Sequence, residues 1–158
     1  MKVVIAPDSF KESMSAKEVC DCAERGILSI FPEWEIVKVP MADGGEGTLE
    51  SLIDATNGKI YNEETLNPIG EKIISRYGIL GDKNIAIIEM ASTSGIELIP
   101  KEKRDPYITT TYGTGQLMLK ALDHDVERII LGIGGSATTD GGAGMLQALG
   151  AKLMDENG

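Results

Sequence analysis

The amino-acid sequence predicts an α/β protein: a parallel strand–helix–strand unit at the N-terminus, then part of a second, mixed-sheet α/β region. Three observations predict it. A continuous apolar run at residues 3–6 and the segment 128–133 read as strands buried in a sheet. A capped helical pattern separates the first such run from the next strand, the order that builds parallel sheets. Further on, three strand-like runs follow one another with no helical pattern between them, so that part is antiparallel or mixed.

The first strand covers residues 3–6 and stops at Pro7. Ser15 with Glu18 three residues later forms a capping-box signature. Val19, Cys20, Ala23, Ile27 and Ile30 then recur at helical spacing until Pro32. A second strand alternates over residues 35–39 before Pro40. Residues 44–47 form a loop leading into a short helix over 49–55, which Asn57-Gly58 ends. Runs at 59–62, 72–77 and 85–89 have strand character, punctuated by turns at Gly70 and Gly81-Asp82. The change of pattern near residues 56–60 is the expected domain boundary. Leu117, Met118, Ala121 and Leu122 mark one face of a helix that begins near Gly113. Met145, Leu146 and Leu149 mark another, ended by Gly150. A last strand starts over 151–154, and Asp155-Glu156-Asn157-Gly158 has hairpin-turn chemistry. The chain stops where a partner strand is expected, so it reads as a truncated piece.

Composition narrows the function. A net charge of −10 argues against a general nucleic-acid or anionic-membrane surface, since both need basic patches. It leaves room for a small anion held by local donors. Cys20 and Cys22 stand two apart on a helix and point about 200° from each other, which suits neither a disulfide nor a chelate. With His124 the lone histidine, read as a solvated loop residue, no zinc site is expected. Reduced thiols, no apolar N-terminal leader and no run near roughly 20 apolar residues predict a cytoplasmic protein.

Three of the predicted strands run straight into polar loops. Ligands of open parallel sheets bind outside the carboxyl ends of strands, so these loops are candidates for one site. In the first, Lys11 offers a positive charge to a carboxylate or phosphate, and Asp8 and Ser9 offer hydrogen bonds. In the second, Asp43 and Glu46 stand three apart among glycines. Such a pair can bind Mg²⁺, take a proton from a substrate hydroxyl, or simply enrich a helix N-terminus in acid. The third, residues 132–142, holds five glycines, three hydroxyl residues and one acid, more than a tight turn needs. Its glycines, Gly134, Gly135 and Gly141 among them, let the backbone approach closely, and its N–H groups with Ser136 and Thr138 can cradle anionic oxygens. Asp140 can cap the following helix or bind a cation beside phosphates. Gly113 and Thr114 form either a further anion site at a helix N-terminus or a glycine-rich entry turn.

Standard nucleotide motifs mostly fail. No lysine follows these glycines at P-loop spacing. Gly132, Gly134 and Ala137 match the dinucleotide form G-x-G-x-x-A, with Asp155 after the next strand, but the residues from Thr138 to Gly142 delay the helix. A dinucleotide-binding or non-catalytic small-anion-binding protein using this loop is the alternative reading.

The motifs Ala6-Pro7-Asp8-Ser9-Phe10-Lys11, Ala42-Asp43-Gly44-Gly45-Glu46-Gly47-Thr48 and Thr111-Tyr112-Gly113-Thr114-Gly115 stand in this order, followed by residues 132–144 and Leu146-Gln147-Ala148-Leu149-Gly150. Together they resemble the glycerate kinase type 1 family across the whole chain. Glu12, Met14 and Thr139 stand where glycine, leucine and asparagine are expected. The resemblance implies phosphoryl transfer from ATP, with Mg²⁺, to a hydroxyl of D-glycerate, the 2-phosphate being favoured. It implies a chain more than twice as long, with two α/β domains and the ligand cleft between them. Residues 1–58 would be the first part of a discontinuous Rossmann-like domain, and residues 59–158 the first part of an inserted α/β domain.

On that resemblance Gly134, Gly135, Ser136, Thr138 and Gly141, with Gly113 and Thr114, would hold phosphate. Asp43 or Asp140 would hold Mg²⁺ or accept the hydroxyl proton, and Lys11, Asp8, Ser9 and Glu46 would contact glycerate. Lys11, Asp43 and Asp140 are thus the expected catalytic residues. The isolated piece is expected to lack kinase activity, and its unpaired sheet edges to invite oligomers.

Overall fold

A computed structural model describes residues 1–10, 13–45, 47–81 and 84–156. The chain divides into two units, Met1–Asp43 and Gly44–Gly158. In the first, β1 (Lys2–Ile5) and β2 (Glu35–Lys38) pair in parallel, with Lys2 opposite Glu35 and Ile5 opposite Lys38. The crossover between them is α1 (Ala16–Ile30). Its start is the capping box that the sequence announces: Glu18 N donates to Ser15 Oγ at 3.2 Å, and Ser15 N donates to Glu18 Oε2 at 2.8 Å. Replacing Ser15 with alanine orphans one N–H of the first turn and is expected to cost about 1 kcal/mol. A shift in the midpoint of urea unfolding reads this, and an unchanged midpoint contradicts it.

Helix α1 packs on both strands. Cys20 is buried, its Sγ 3.7 Å from Ile5 O, while Cys22 is exposed, as their spacing requires. Lys38 Nζ reaches Asp21 at 2.8 Å and Glu24 at 2.7 Å, two solvent-accessible ion pairs that contribute little to stability. The apolar run of β1 predicts a strand covered on both faces. Val3 and Ile5 are half-buried, but Val4 is 58% exposed.

The second unit is a four-stranded sheet in the order β3 (Lys59–Leu66), β4 (Lys72–Ile79), β5 (Ile85–Glu89), β6 (Arg128–Gly132). The first two pairings are antiparallel and the third is parallel, so the sheet is mixed as expected. Strands β3 and β4 run longer than the sequence pattern suggests because their turn is built by a side chain: Asn67 Oδ1 accepts from Ile69 N at 3.0 Å and Glu71 N at 2.9 Å. Parallel β6 needs a crossover from β5. That crossover carries α3 (Ala91–Ser94), two 3₁₀ turns (Ile96–Leu98 and Lys101–Lys103) and α4 (Tyr112–Leu122). Ahead of the sheet lies α2 (Thr48–Thr56), ended by Asn57 in the left-handed conformation, and after it α5 (Ala143–Ala148).

The core explains why β5 is a continuous apolar run. Ala86 and Ile88 face one way and pack with Tyr77 against Leu117 and Ala121 of α4. Ile87 faces the other way and packs with Leu80 against Leu49 and Ile53 of α2. A strand covered by helices on both sides has no polar face. Because α2 belongs to this core, the units divide at Asp43/Gly44, ahead of residues 56–60 where the pattern changes.

One expectation is corrected. Residues 151–154 form no strand, with Leu153 and Met154 exposed: strand propensity forms no ladder without a neighbour, and none of the described strands pairs with it. His124 is exposed in a turn as expected, and its ring also rests on Tyr61 with centroids 4.5 Å apart, near Tyr77. Among the described residues, no helix is long and apolar enough to cross a membrane.

Candidate active site

In the first unit the parallel pairing of β1 and β2 brings their following loops side by side. Val39 N donates to Ile5 O at 2.8 Å and Met41 N to Pro7 O at 2.9 Å. Asp8, exposed, accepts from Ser9 N at 2.7 Å, and Asp43 is exposed further along the neighbouring segment. Lys11 and Glu46 lie outside the described residues.

In the second unit the ends of β5 and β6 carry the remaining loops. Glu89 and Gly132 are register partners at the carboxyl ends of the two strands. Gly132 lies against the Gly44 turn so closely that a Cβ there would overlap Gly44 O, which is why only glycine fits. Gly134 N donates to Gly44 O at 3.2 Å. The rest of the loop is laced to the crossover: Ile96 N donates to Gly135 O at 3.0 Å, Ala137 N to Ser94 O at 2.8 Å and Thr109 Oγ1 to Ala137 O at 2.9 Å. Ser136 and Thr138 are bonded to each other, hydroxyl to hydroxyl at 2.9 Å. Gly135, Ser136, Thr139 and Gly141 are exposed, and among the described residues their N–H groups have no protein acceptor. These are donors that an anion can use.

Asp140 organises the far end of this loop. Its Oδ2 accepts from Thr111 N (2.8 Å), Thr111 Oγ1 (2.9 Å) and Gly144 N (3.1 Å), and its Oδ1 accepts from Gly142 N (3.1 Å). It therefore caps α5, whose N-cap Gly142 adopts φ 81°, and occupies the start of α4 at the same time. Partial burial pushes the carboxyl up, but the bonds from Thr111, Gly144 and Gly142 outweigh this and hold it below the ordinary 3.8. The anion at the N-terminus of α4 is thus the protein's own.

Gly113 and Thr114 fall where that leaves them. Thr114 is 0% exposed, with its hydroxyl 2.8 Å from those of Thr93 and Ser94. A Cβ on Gly113 would overlap the carbonyl oxygen of Leu66. Both are packing positions, joining α4 to β3 and α3. The sequence flags the helix start but not that Asp140 already accepts from Thr111 N at its N-cap.

Glu89 is the residue the sequence reading passes over. It is 3% exposed, and its Oε1 accepts from Leu49 N of α2 at 2.8 Å. Burial raises its carboxyl above the usual 4.5, with Glu50 adding to the rise and Leu49 N, Arg76 and Thr48 N opposing it. Its only sequence signal is an acid closing a buried apolar strand, Ile85-Ala86-Ile87-Ile88-Glu89.

The donor set can be tested against a nucleotide phosphate and Mg²⁺. Exposed loop N–H groups beside hydroxyls suit phosphate oxygens. No group of three His, Cys, Asp or Glu able to hold a metal occurs among the described residues. Mg²⁺, which commonly takes one or two carboxylates plus phosphate oxygens, does not require such a cage. The dinucleotide form fits less well, since α5 opens at Ala143 rather than at Gly132 or Gly134, and Asp155 follows no strand.

The fold and its loops define a class: a mixed α/β protein with a glycine-rich loop after β6, the strand paired in parallel with β5. The model of the glycerate kinase family matches residues 3–158, and the chain belongs to that family. It is 58% identical over 158 residues to the glycerate 2-kinase of Escherichia coli, covering 100% of this chain and 42% of that protein. It is 56% identical over 158 residues to the glycerate kinase of Bacillus subtilis, covering 100% of this chain and 41% of that protein. A crystal structure described as a glycerate kinase 2 from Salmonella typhimurium LT2 matches with a TM-score of 0.87 at 54% identity, covering 100% of this chain and 42% of that one. The chain thus spans about 41% of the length of the curated relatives it matches.

Proposed function

We propose that the complete protein carrying this segment phosphorylates a hydroxyl of D-glycerate at the expense of ATP, forming the 2-phosphate. The observation that carries this is the family match over residues 3–158, which includes all of the glycine-rich loops. Phosphoryl transfer is mostly positioning and charge stabilisation, and the residues present suit that task.

In this reading Gly135, Ser136, Thr139 and Gly141 direct backbone N–H groups to phosphate oxygens, with the Ser136–Thr138 hydroxyl pair beside them. Lys11 holds the substrate carboxylate, and Asp8, Ser9 and Glu46 bond its hydroxyls. Asp140, kept ionised by its hydrogen bonds from Thr111, Gly142 and Gly144, is a poor proton acceptor but a steady anion, so it would hold Mg²⁺. Asp43 takes the hydroxyl proton. Bound Mg²⁺ supplies neutralisation of phosphate charge.

In the complete protein, Asp43→Asn is expected to lower kcat by about 10²-fold or more, the usual worth of a general base. Asp140→Asn is expected to raise the Mg²⁺ concentration needed for half-maximal rate. Steady-state kinetics read both, and near-normal values for both variants would sink the assignment.

A further inference from the structure

We propose that Glu89 is a positioning residue: its buried carboxylate pins the start of α2 to the end of β5 and thereby fixes the Gly44–Gly45 turn against the loop that follows β6. The kinetic part of this inference rests on the reaction proposed above.

Three observations carry it. First, among the described residues Glu89 is the only carboxylate, lysine or arginine in the buried set. A carboxylate is costly to bury, so it stays only where donors repay the lost water. Second, its donor is the backbone of a helix start 40 positions away: Leu49 N, at 2.8 Å. The N-cap of α2 is Gly47, which has no side chain to bond the first turn, so the cap is supplied by another element. Arg76 is committed to Glu50, which leaves the helix start as the chief partner of the Glu89 charge. Third, Glu89 stands at the register position of Gly132, and Met90 N donates to Gly132 O at 2.8 Å. Gly132 is the residue that abuts Gly44, and Gly44 N in turn donates to Thr48 Oγ1 at 3.1 Å. One side chain therefore closes a ring that runs from β5 through α2 and the Gly44 turn to β6. Ser92 Oγ, donating to Glu89 O at 2.8 Å, holds the backbone from which that side chain departs.

The geometry separates reach from charge. Glu89→Gln keeps an acceptor oxygen at the same reach and loses the charge. Glu89→Asp keeps the charge and withdraws the carboxylate by one methylene. In the complete protein, Glu89→Asp is expected to lower kcat by about 10- to 100-fold with KM values within about threefold, whereas Glu89→Gln stays within about threefold in both, because a misplacement near 1 Å costs on this scale. Amide exchange on the same proteins should show Leu49 and Gly134 losing protection in Glu89→Asp and keeping it in Glu89→Gln, with Ile87 and Leu117 unchanged in both. Normal kcat in Glu89→Asp, or equal damage in the two variants, overturns the proposal. If the native protein does not phosphorylate glycerate, the reaction reading fails by itself, and the exchange pattern alone then decides the role of Glu89.

Discussion

Replacing Asp140 with alanine is expected to destabilise the second unit by about 3 kcal/mol, since a hydrogen bond to a charged group contributes about 1.5–3 kcal/mol and several are lost together. The variant strips the acceptor from Thr111 N, Gly142 N and Gly144 N, three backbone donors on two different helix starts. Water can reach part of this half-buried site, which keeps the cost well below the sum. A loss under about 1 kcal/mol in urea unfolding would show that these bonds are readily replaced by solvent. The same carboxyl has a pH signature. Its folded pKa lies below 3.8, so its stabilisation is fully present above the unfolded value and is lost as pH falls through the lower folded one. Stability of the native protein should therefore drop on acidification below about pH 4, and Asp140→Asn should flatten that drop.

Gly113→Ala tests packing against propensity. In the first turn of α4, alanine in place of glycine should stabilise by up to about 1 kcal/mol if helix propensity decides. The structure reverses the sign. The added Cβ would overlap Leu66 O and lie 3.1 Å from its carbonyl carbon and 3.2 Å from Thr93 Cβ, so α4 would have to leave β3. The expected result is a loss of about 3 kcal/mol, at the upper end of what overpacking costs. A thermal unfolding midpoint that stays level or rises would refute the close approach.

The first strand–helix–strand unit is legible because its signals are local. Pro7, the Ser15–Glu18 box and Pro32 each act within a few residues of where they stand, and the parallel pairing of β1 with β2 follows from their order. Helix α2 is legible for the same reason, from its glycine entry to Asn57-Gly58. The region from Ala91 to Lys103 is not. Its short α3 and 3₁₀ turns are too brief to show periodicity, and they hold their shape by bonding to the loop after β6. The run at 151–154 has strand character but, without a neighbour to pair with, stays irregular.

The same division runs through the site. Glycines and hydroxyl residues packed into 132–142 mark it from the sequence as a place of close approach, and the structure gives that approach a partner in the Gly44 turn. What the sequence by itself determined is the class of fold and the family, because composition and short-range order encode them. What only the tertiary structure decided is which polar groups remain available to a ligand. Asp140 fills the helix start that Gly113 and Thr114 advertise, and Glu89 fills the one after Gly47. Both carboxylates come from positions 29 and 40 residues away, and a hydrogen bond closed over such a distance leaves no periodicity or spacing in the chain to read.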